Sequence, residues 1–348
     1  MPTQRQIFEA LAERLEPQVR DAFLAAVAEI RSSVTLKLLI DRLERGDIAG
    51  AIDALQIERE AYGRLDLLIG EAYNSGGIAQ ADALRIRDPE GGRVLFRFGV
   101  RNPEAEEWLR RHSSTLITRI VEDQREAARQ HLMAGLARGQ NPRQTALDLV
   151  GRVSRATNER TGGVLGLTAA QERTVANARS ALLSGDVEGM RHYLTLSRRN
   201  KRFDPSVMAA IRDGRPISAE LVARITGRLS DSYLALRGET IGRTETLNAL
   251  GKARDDAMRQ AIQQGKVDAR FVEKIWRHSY AEHPRVQHQA MSGKAVPYLE
   301  PFVMPDGTSV RYPHDPDAPG KHTIGCRCRV EYRIDYAAML AEQRRVVQ

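Results

Sequence analysis

The 348-residue chain is poor in cysteine, in aromatic residues and in long apolar runs. Its two cysteines exclude a disulfide framework in a chain of this length. Aromatic residues at 5% are too sparse for extended base-stacking platforms on single strands. No apolar stretch approaches the roughly 20 residues of a membrane-spanning helix, so no membrane partner is expected. The opening "MPTQRQIFEALAERLEPQVR" carries charges through what would be the apolar part of a signal peptide, so synthesis in the cytoplasm is expected.

What is present suits a globular protein of two or more domains: 42% hydrophobic and 28% charged residues. Lys plus Arg number 53 against 45 Asp plus Glu, a formal charge of +8 with arginine dominant. That balance fits a polyanionic partner such as double-stranded DNA, bound without sequence preference, and equally fits a moderately basic solvated surface.

The predicted fold is mainly α: a helical N-terminal region over 1–92, a central helical body over 93–265, and a small C-terminal α+β module with a terminal helix over 266–348. Phe8, Leu11 and Leu15 form an apolar stripe before Pro17, and Val19, Phe23, Val27 and Ile30 continue it, which predicts a kinked helix or a broken helical hairpin. A short helix should stop at Gly46, with Asp47 capping the next. Val94–Phe98 reads as a short strand. Asn102 with Pro103, Asn141 with Pro142 and Gln144, and Thr168 with Gln171 read as helix starts. A long helical tract begins near Ser218 and runs to Gly265. The glycines inside it, Gly227, Gly238, Gly242 and Gly251, predict either a kink or close helix contacts.

Composition changes after Val267, where seven of fourteen prolines, five of eight histidines and both cysteines lie. "PFVMPDGTSVRYP" reads as a hairpin turning at Pro305, Asp306 and Gly307. "CRCRVEYRI" alternates, placing Cys326, Cys328, Val330, Tyr332 and Ile334 on one face of a strand.

Three readings compete for the cysteines. A disulfide at i, i+2 in a strand is geometrically poor. A zinc site is supplied with nitrogen by His278, His283, His288, His314 and His322, but Cys-x-Cys in a strand lacks the usual spacing around a tight turn. Burial as two small apolar side chains leads, with raised thiol pKa values and slow reactivity, so no metal and no cofactor are expected.

The C-terminal residues resemble the head morphogenesis domain of the phage Mu protein F-like family of minor head proteins. The matching pieces come in the family's order: Arg243-Thr244-Glu245, Trp276, Arg285-Val286-Gln287-His288, Gly293, Phe302, Tyr312-Pro313 with Asp315-Pro316, and Cys326-Arg327-Cys328. The likeness extends upstream through "RRNKRFD", "LTAAQ" and "GQNPRQTA", covering about Asn102 to Tyr332. Two positions depart from the pattern: Gly325 stands where the family has Asn, and Glu282-His283 where an Asp is common.

The resemblance implies a non-enzymatic minor capsid protein acting in head morphogenesis and in DNA packaging or ejection. It would be made in the host cytoplasm and retained in the virion. It also implies the portal protein as partner, with major capsid or scaffolding protein as further candidates. An alternative reading is a metal-dependent hydrolase or nuclease, or a toxin-like effector, using the C-terminal His and Cys residues. No catalytic residues are assigned, since the sequence holds no P-loop, G-x-S-x-G or H-E-x-x-H.

Arg243 and Glu245 are expected to clamp the long helix to the C-terminal module, or else to be exposed charges. Arg285 and His288 share a face if their segment is helical, and His288 is a general base, a ligand or a structural histidine. Trp276 is expected in the core and His314 and Asp315 in an exposed loop. Arg198, Arg199, Lys201 and Arg202 are the candidate DNA contacts, with a solvated face as the competing reading.

Overall fold

The computed structural model describes residues 3–84, 86, 92, 94, 96–99, 103–155, 157–279 and 285–347; it is 67% helical with a few small antiparallel sheets, as the periodicity predicts. Helices cover Gln4–Ser33 (α1), Leu36–Glu44 (α2), Ile48–Asp53 (α3), Gly63–Ala83 (α4), Pro103–Ala137 (α5), Pro142–Val150 (α6) and Ala169–Ser184 (α7). They continue with Val187–Thr195 (α8), Asp204–Asp213 (α9), Ala219–Gln263 (α10), Val286–Gln289 (α11), Gly320–Thr323 (α12) and Tyr336–Val347 (α13). The strands are Arg152–Val153 (β1), Arg160–Thr161 (β2), Val272–Arg277 (β3), Ala295–Pro297 (β4), Phe302–Val303 (β5), Ser309–Val310 (β6) and Arg329–Ile334 (β7).

The chain forms two compact units, neither of them contiguous. One comprises Met1–Arg20, Leu65–Ser113 and Thr240–Gln348, the other Asp21–Arg64 and Ser114–Glu239. The consecutive regions 1–92, 93–265 and 266–348 cut the chain differently, because α1, α5 and α10 each contribute residues to both units.

Several helix ends follow the local code. Asp47 accepts from the Gly50 amide at 2.8 Å, and Asn141 accepts from Arg143 and Gln144 at 2.9 and 3.3 Å. Thr168 and Gln171 form a full capping box, and Gly185 closes α7 in the left-handed conformation. Gln144 does not complete such a box; its amide reaches forward to Asp148 at 3.1 Å. The Asn102 cap lies outside the described residues.

Pro17 does not break α1, which runs uninterrupted for 30 residues. Its ring faces solvent, and so does Glu13, whose carbonyl loses its helical donor and can be hydrated instead. The Val94–Phe98 run forms no strand among its described residues. Phe96 and Phe98 are buried instead, and Phe98 packs against Tyr73 with ring centroids 5.8 Å apart.

In the first unit β3 is the central strand of a β4-β3-β7 sheet, antiparallel throughout, with Trp276 opposite Val330 and Val272 opposite Ile334. The expected hairpin forms from β5 and β6, with Gly307 at φ +80° in its turn. Their core gathers Trp276, Met291, Phe302, Met304, Val310, Cys326 and Cys328. The module is tied to α10 where Tyr332 donates to Asp255 at 3.1 Å, and is braced internally where the buried Lys274 ammonium donates to the Arg311 carbonyl at 2.9 Å. Within α10, one unbroken 45-residue helix, Gly227, Gly242 and Gly251 mark close approaches of other segments. A Cβ on Gly242 would sit 2.7 Å from the Glu16 carbonyl oxygen, and one on Gly251 3.1 Å from that of Pro313.

In the second unit the glycine-bearing segment 161–167 is held from several sides. Arg31, buried at the end of α1, donates to the carbonyls of Gly163 (2.7 Å) and Leu165 (3.0 Å). Arg237 donates to the Gly166 carbonyl (2.9 Å), and Asp231 accepts from the Gly162 amide (2.7 Å). Nearby, fully buried Asp148 pairs with Arg179 at 2.5 Å and Arg152 at 2.8 Å.

Candidate functional site

The two cysteines are not on the strand that alternation predicts. β7 begins at Arg329, and the chain before it turns at Gly325 (φ +65°), so the Cys328 amide donates back to Cys326 Sγ at 3.3 Å. Both side chains still enter the core, at 4% and 2% exposure, as the burial reading requires. Neither is in a disulfide.

His288 reaches them from α11. Its Nδ1 lies 3.3 Å from Cys326 Sγ and 3.6 Å from Cys328 Sγ, and the three donor atoms all lie within 4.8 Å of one another. The spacing objection to a metal therefore does not hold: the third donor comes from a different element, and a turn replaces the straight strand. The thiols differ. Cys328 is pushed down, first by its hydrogen bond with the Cys326 thiol and then by His288, while that same bond to Cys328, followed by burial, pushes Cys326 up. The expectation that both are raised is corrected by their proximity.

Behind His288 stands a polar chain. His288 Nε2 is 3.2 Å from His322 Nδ1, and His322 Nε2 is 3.1 Å from Asp306 Oδ2 in the β5–β6 turn. Lys321 also pairs with Asp306, at 2.6 Å. That ammonium, with the Thr308 amide, holds the Asp306 carboxyl well below the usual range, while burial lowers His322 and keeps it neutral.

His314 and Asp315 are buried, at 1% and 3% exposure, so the exposed loop expected for them is not found. His314 takes the left-handed φ of +68°, and its Nε2 bonds the Cys328 carbonyl at 2.8 Å. Burial pushes its pKa down to about 4, which makes it a neutral structural imidazole. Asp315 accepts from the Arg311 amide and guanidinium, and from the Asp317 amide, closing a tight turn.

The remaining motif residues divide by role. Trp276 is fully buried, edge-on to both His288 and Phe302 at 5.5 and 5.3 Å. Gly293 takes φ +83° where its amide meets the Trp276 carbonyl, a conformation that favours glycine. Arg285 does not share His288's environment: it precedes α11, is exposed, and donates to the Ile324 carbonyl at 2.5 Å. His283 lies outside the described residues.

Arg243 meets Glu16 of α1 at 3.7 Å, and Arg327, between the cysteines, meets the same carboxylate oxygen at 3.4 Å. Glu16 thus bridges α10 to the cysteine segment, and Thr244 accepts from the Gly325 amide at 3.1 Å. Glu245 does not clamp the module; it pairs with His112 of α5 at 2.7 Å. Burial pushes the Glu16 carboxyl up, against the opposing pull of Arg327 and Arg243.

The basic cluster is divided too. Arg199 is engaged by Asp204 at 3.0 Å and by the Leu196 carbonyl, and Arg198 lies 3.8 Å from Glu239. Lys201 and Arg202, on a single 3-10 turn capped by Asn200, are exposed.

Sequence reasoning missed Glu16 and the part Asp306 plays in this site, and it named His322 only as one of five candidate nitrogens and Thr244 only within the Arg243-Thr244-Glu245 motif. Asp306 carried only a turn signal. Glu16 carried none, because its cationic partners lie at the other end of the chain. Among the described residues no helix is long and apolar enough to cross a membrane. No protein-family profile, curated protein or solved structure matches the chain.

Proposed function

We propose that the chain is a minor head protein of a tailed phage, a structural component of the virion that docks on the portal near packaged DNA. The observation that carries this reading is the convergence of the residues shared with the Mu protein F-like family. Arg243 and Thr244 of α10 engage the cysteine segment through Glu16 and Gly325, and Trp276, His288, Phe302, Cys326 and Cys328 pack as one cluster. Gly325 also makes sense where the family has Asn: at φ +65° the position needs a residue that tolerates the left-handed region, and both do.

Burial of the His and Cys donors at 2–4% exposure speaks against the hydrolase alternative, which needs them in reach of a substrate. Adhesion through helical surfaces supplies the mechanism instead. The test is co-expression with the portal protein encoded in the same genome, followed by pull-down and capsid assembly. Recovery of a portal complex is expected. Entry into capsids assembled without a portal, as efficient as with one, overturns the reading.

A further inference from the structure

We infer that His288 Nδ1, Cys326 Sγ and Cys328 Sγ together bind one divalent zinc-type ion, which pins α11 to the segment entering β7. The argument begins with distances. Tetrahedral zinc at about 2.3 Å from sulfur and about 2.0–2.1 Å from nitrogen puts neighbouring S and N donors about 3.5 Å apart. The two N to S separations here are 3.3 and 3.6 Å, one on either side of that value. Both N to S edges thus match a shared ion, and the sulfurs, no more than 4.8 Å apart, need only settle at the roughly 3.8 Å that two tetrahedral zinc–sulfur bonds require.

Tautomer logic points the same way. With its Nε2–H donated to His322 Nδ1, and His322 Nε2–H donated to Asp306, His288 keeps a lone pair on Nδ1 facing the sulfurs. A carboxylate reached through hydrogen-bonded imidazole is the outer support that metal-bound histidines use. The Cys328 amide donating to Cys326 Sγ, at 3.3 Å, stabilises thiolate charge. Packing alone would be served by alanine or valine at the cysteine positions and needs none of this polar chain.

The donor set selects the metal class, since two thiolates with one imidazole suit zinc and disfavour magnesium or calcium. Three protein ligands leave one tetrahedral position to a water molecule. With all three donors buried, the site holds the fold together. Binding releases the thiol protons to solvent and involves no change of oxidation state.

This inference goes beyond the proposed virion role and stands or falls separately from it. The experiment uses the full chain, purified from zinc-supplemented cells and passed through metal-free buffer. Elemental analysis should find one zinc per chain, falling to background in Cys326→Ser, Cys328→Ser and His288→Ala. Because those variants could misfold, wild-type protein stripped by chelator is also titrated with Co(II). A saturable thiolate-to-cobalt band in the near ultraviolet, with the visible bands of a tetrahedral ion at one equivalent, is expected. Folded wild-type protein that retains no zinc and gives no such band overturns the assignment.

Discussion

The imidazoles of His288 and His322 lie edge to edge, with centroids 5.4 Å apart and planes 19° from parallel, and one ring nitrogen of each faces the other at 3.2 Å. This pair carries the hydrogen-bond chain from the Asp306 carboxylate, at the hairpin turn, to the buried sulfurs. His322→Ala should therefore leave one zinc per chain but weaken its affinity by about 10–100-fold, the usual consequence of losing an outer partner. Competition with a chromophoric chelator measures it. Unchanged affinity would show that His322 does not orient His288.

The close approach of α10 to α1 at Gly242 sets a second expectation. A methyl group there would meet the Glu16 carbonyl at 2.7 Å and the Arg20 amide nitrogen at 3.0 Å, both backbone atoms with little room to yield. Gly242→Ala should cost about 1–3 kcal/mol by overpacking. Glu16→Gln should cost less, about 1 kcal/mol or below, because Arg243 and Arg327 are both substantially exposed. Urea unfolding of both variants checks the order of the two effects.

In the second unit, Asp148 has no exposed surface and serves Arg179, Arg152, Gln140 and Gln144. Asp148→Ala leaves Arg179 buried without its direct ion-pair partner, with only the more weakly acting Glu172 carboxylate nearby. The expected loss is about 3–5 kcal/mol, seen as a lower denaturant midpoint. A loss under about 1 kcal/mol would mean that the guanidinium finds water or another acceptor.

Acid should loosen the C-terminal turn through Asp315. Burial pushes this carboxyl up, but the Arg311 hydrogen bonds and charge outweigh it and leave it below its ordinary value. A depressed folded pKa gives stability that is full above the unfolded value of about 3.9 and is lost as pH falls through the folded one. Asp315→Asn should be less stable at neutral pH and should show a shallower stability loss between about pH 5 and pH 2. Parallel acid limbs in variant and wild type would assign the dependence to other carboxylates.

For DNA, the structure narrows the candidate contacts to Lys201 and Arg202, since Arg199 is committed to Asp204 and Arg198 faces Glu239. At about 0.9 per phosphate contact on duplex, their double alanine variant should flatten the slope of log affinity against log salt by up to roughly 1.8. Removing all four cations should add little. Titration of duplex at several salt concentrations decides it, and an unchanged slope removes this turn from any DNA contact.

The helical class, the Asp47, Asn141 and Thr168 caps, the Gly185 stop, the β5–β6 hairpin and the burial of Trp276 and both cysteines were legible in the sequence. Each depends on neighbours within a few positions or on the period of apolar residues, and such information is local. Pro17 misled because its effect depends on which face of α1 meets solvent. The cysteine strand misled because alternation cannot register the left-handed turn at Gly325. Tertiary structure alone brought His288 to the sulfurs, set His322 and Asp306 behind it, and gave Arg243 and Arg327 a common partner in Glu16. The meeting of such distant side chains depends on how helices and strands pack, and no spacing along the chain encodes it.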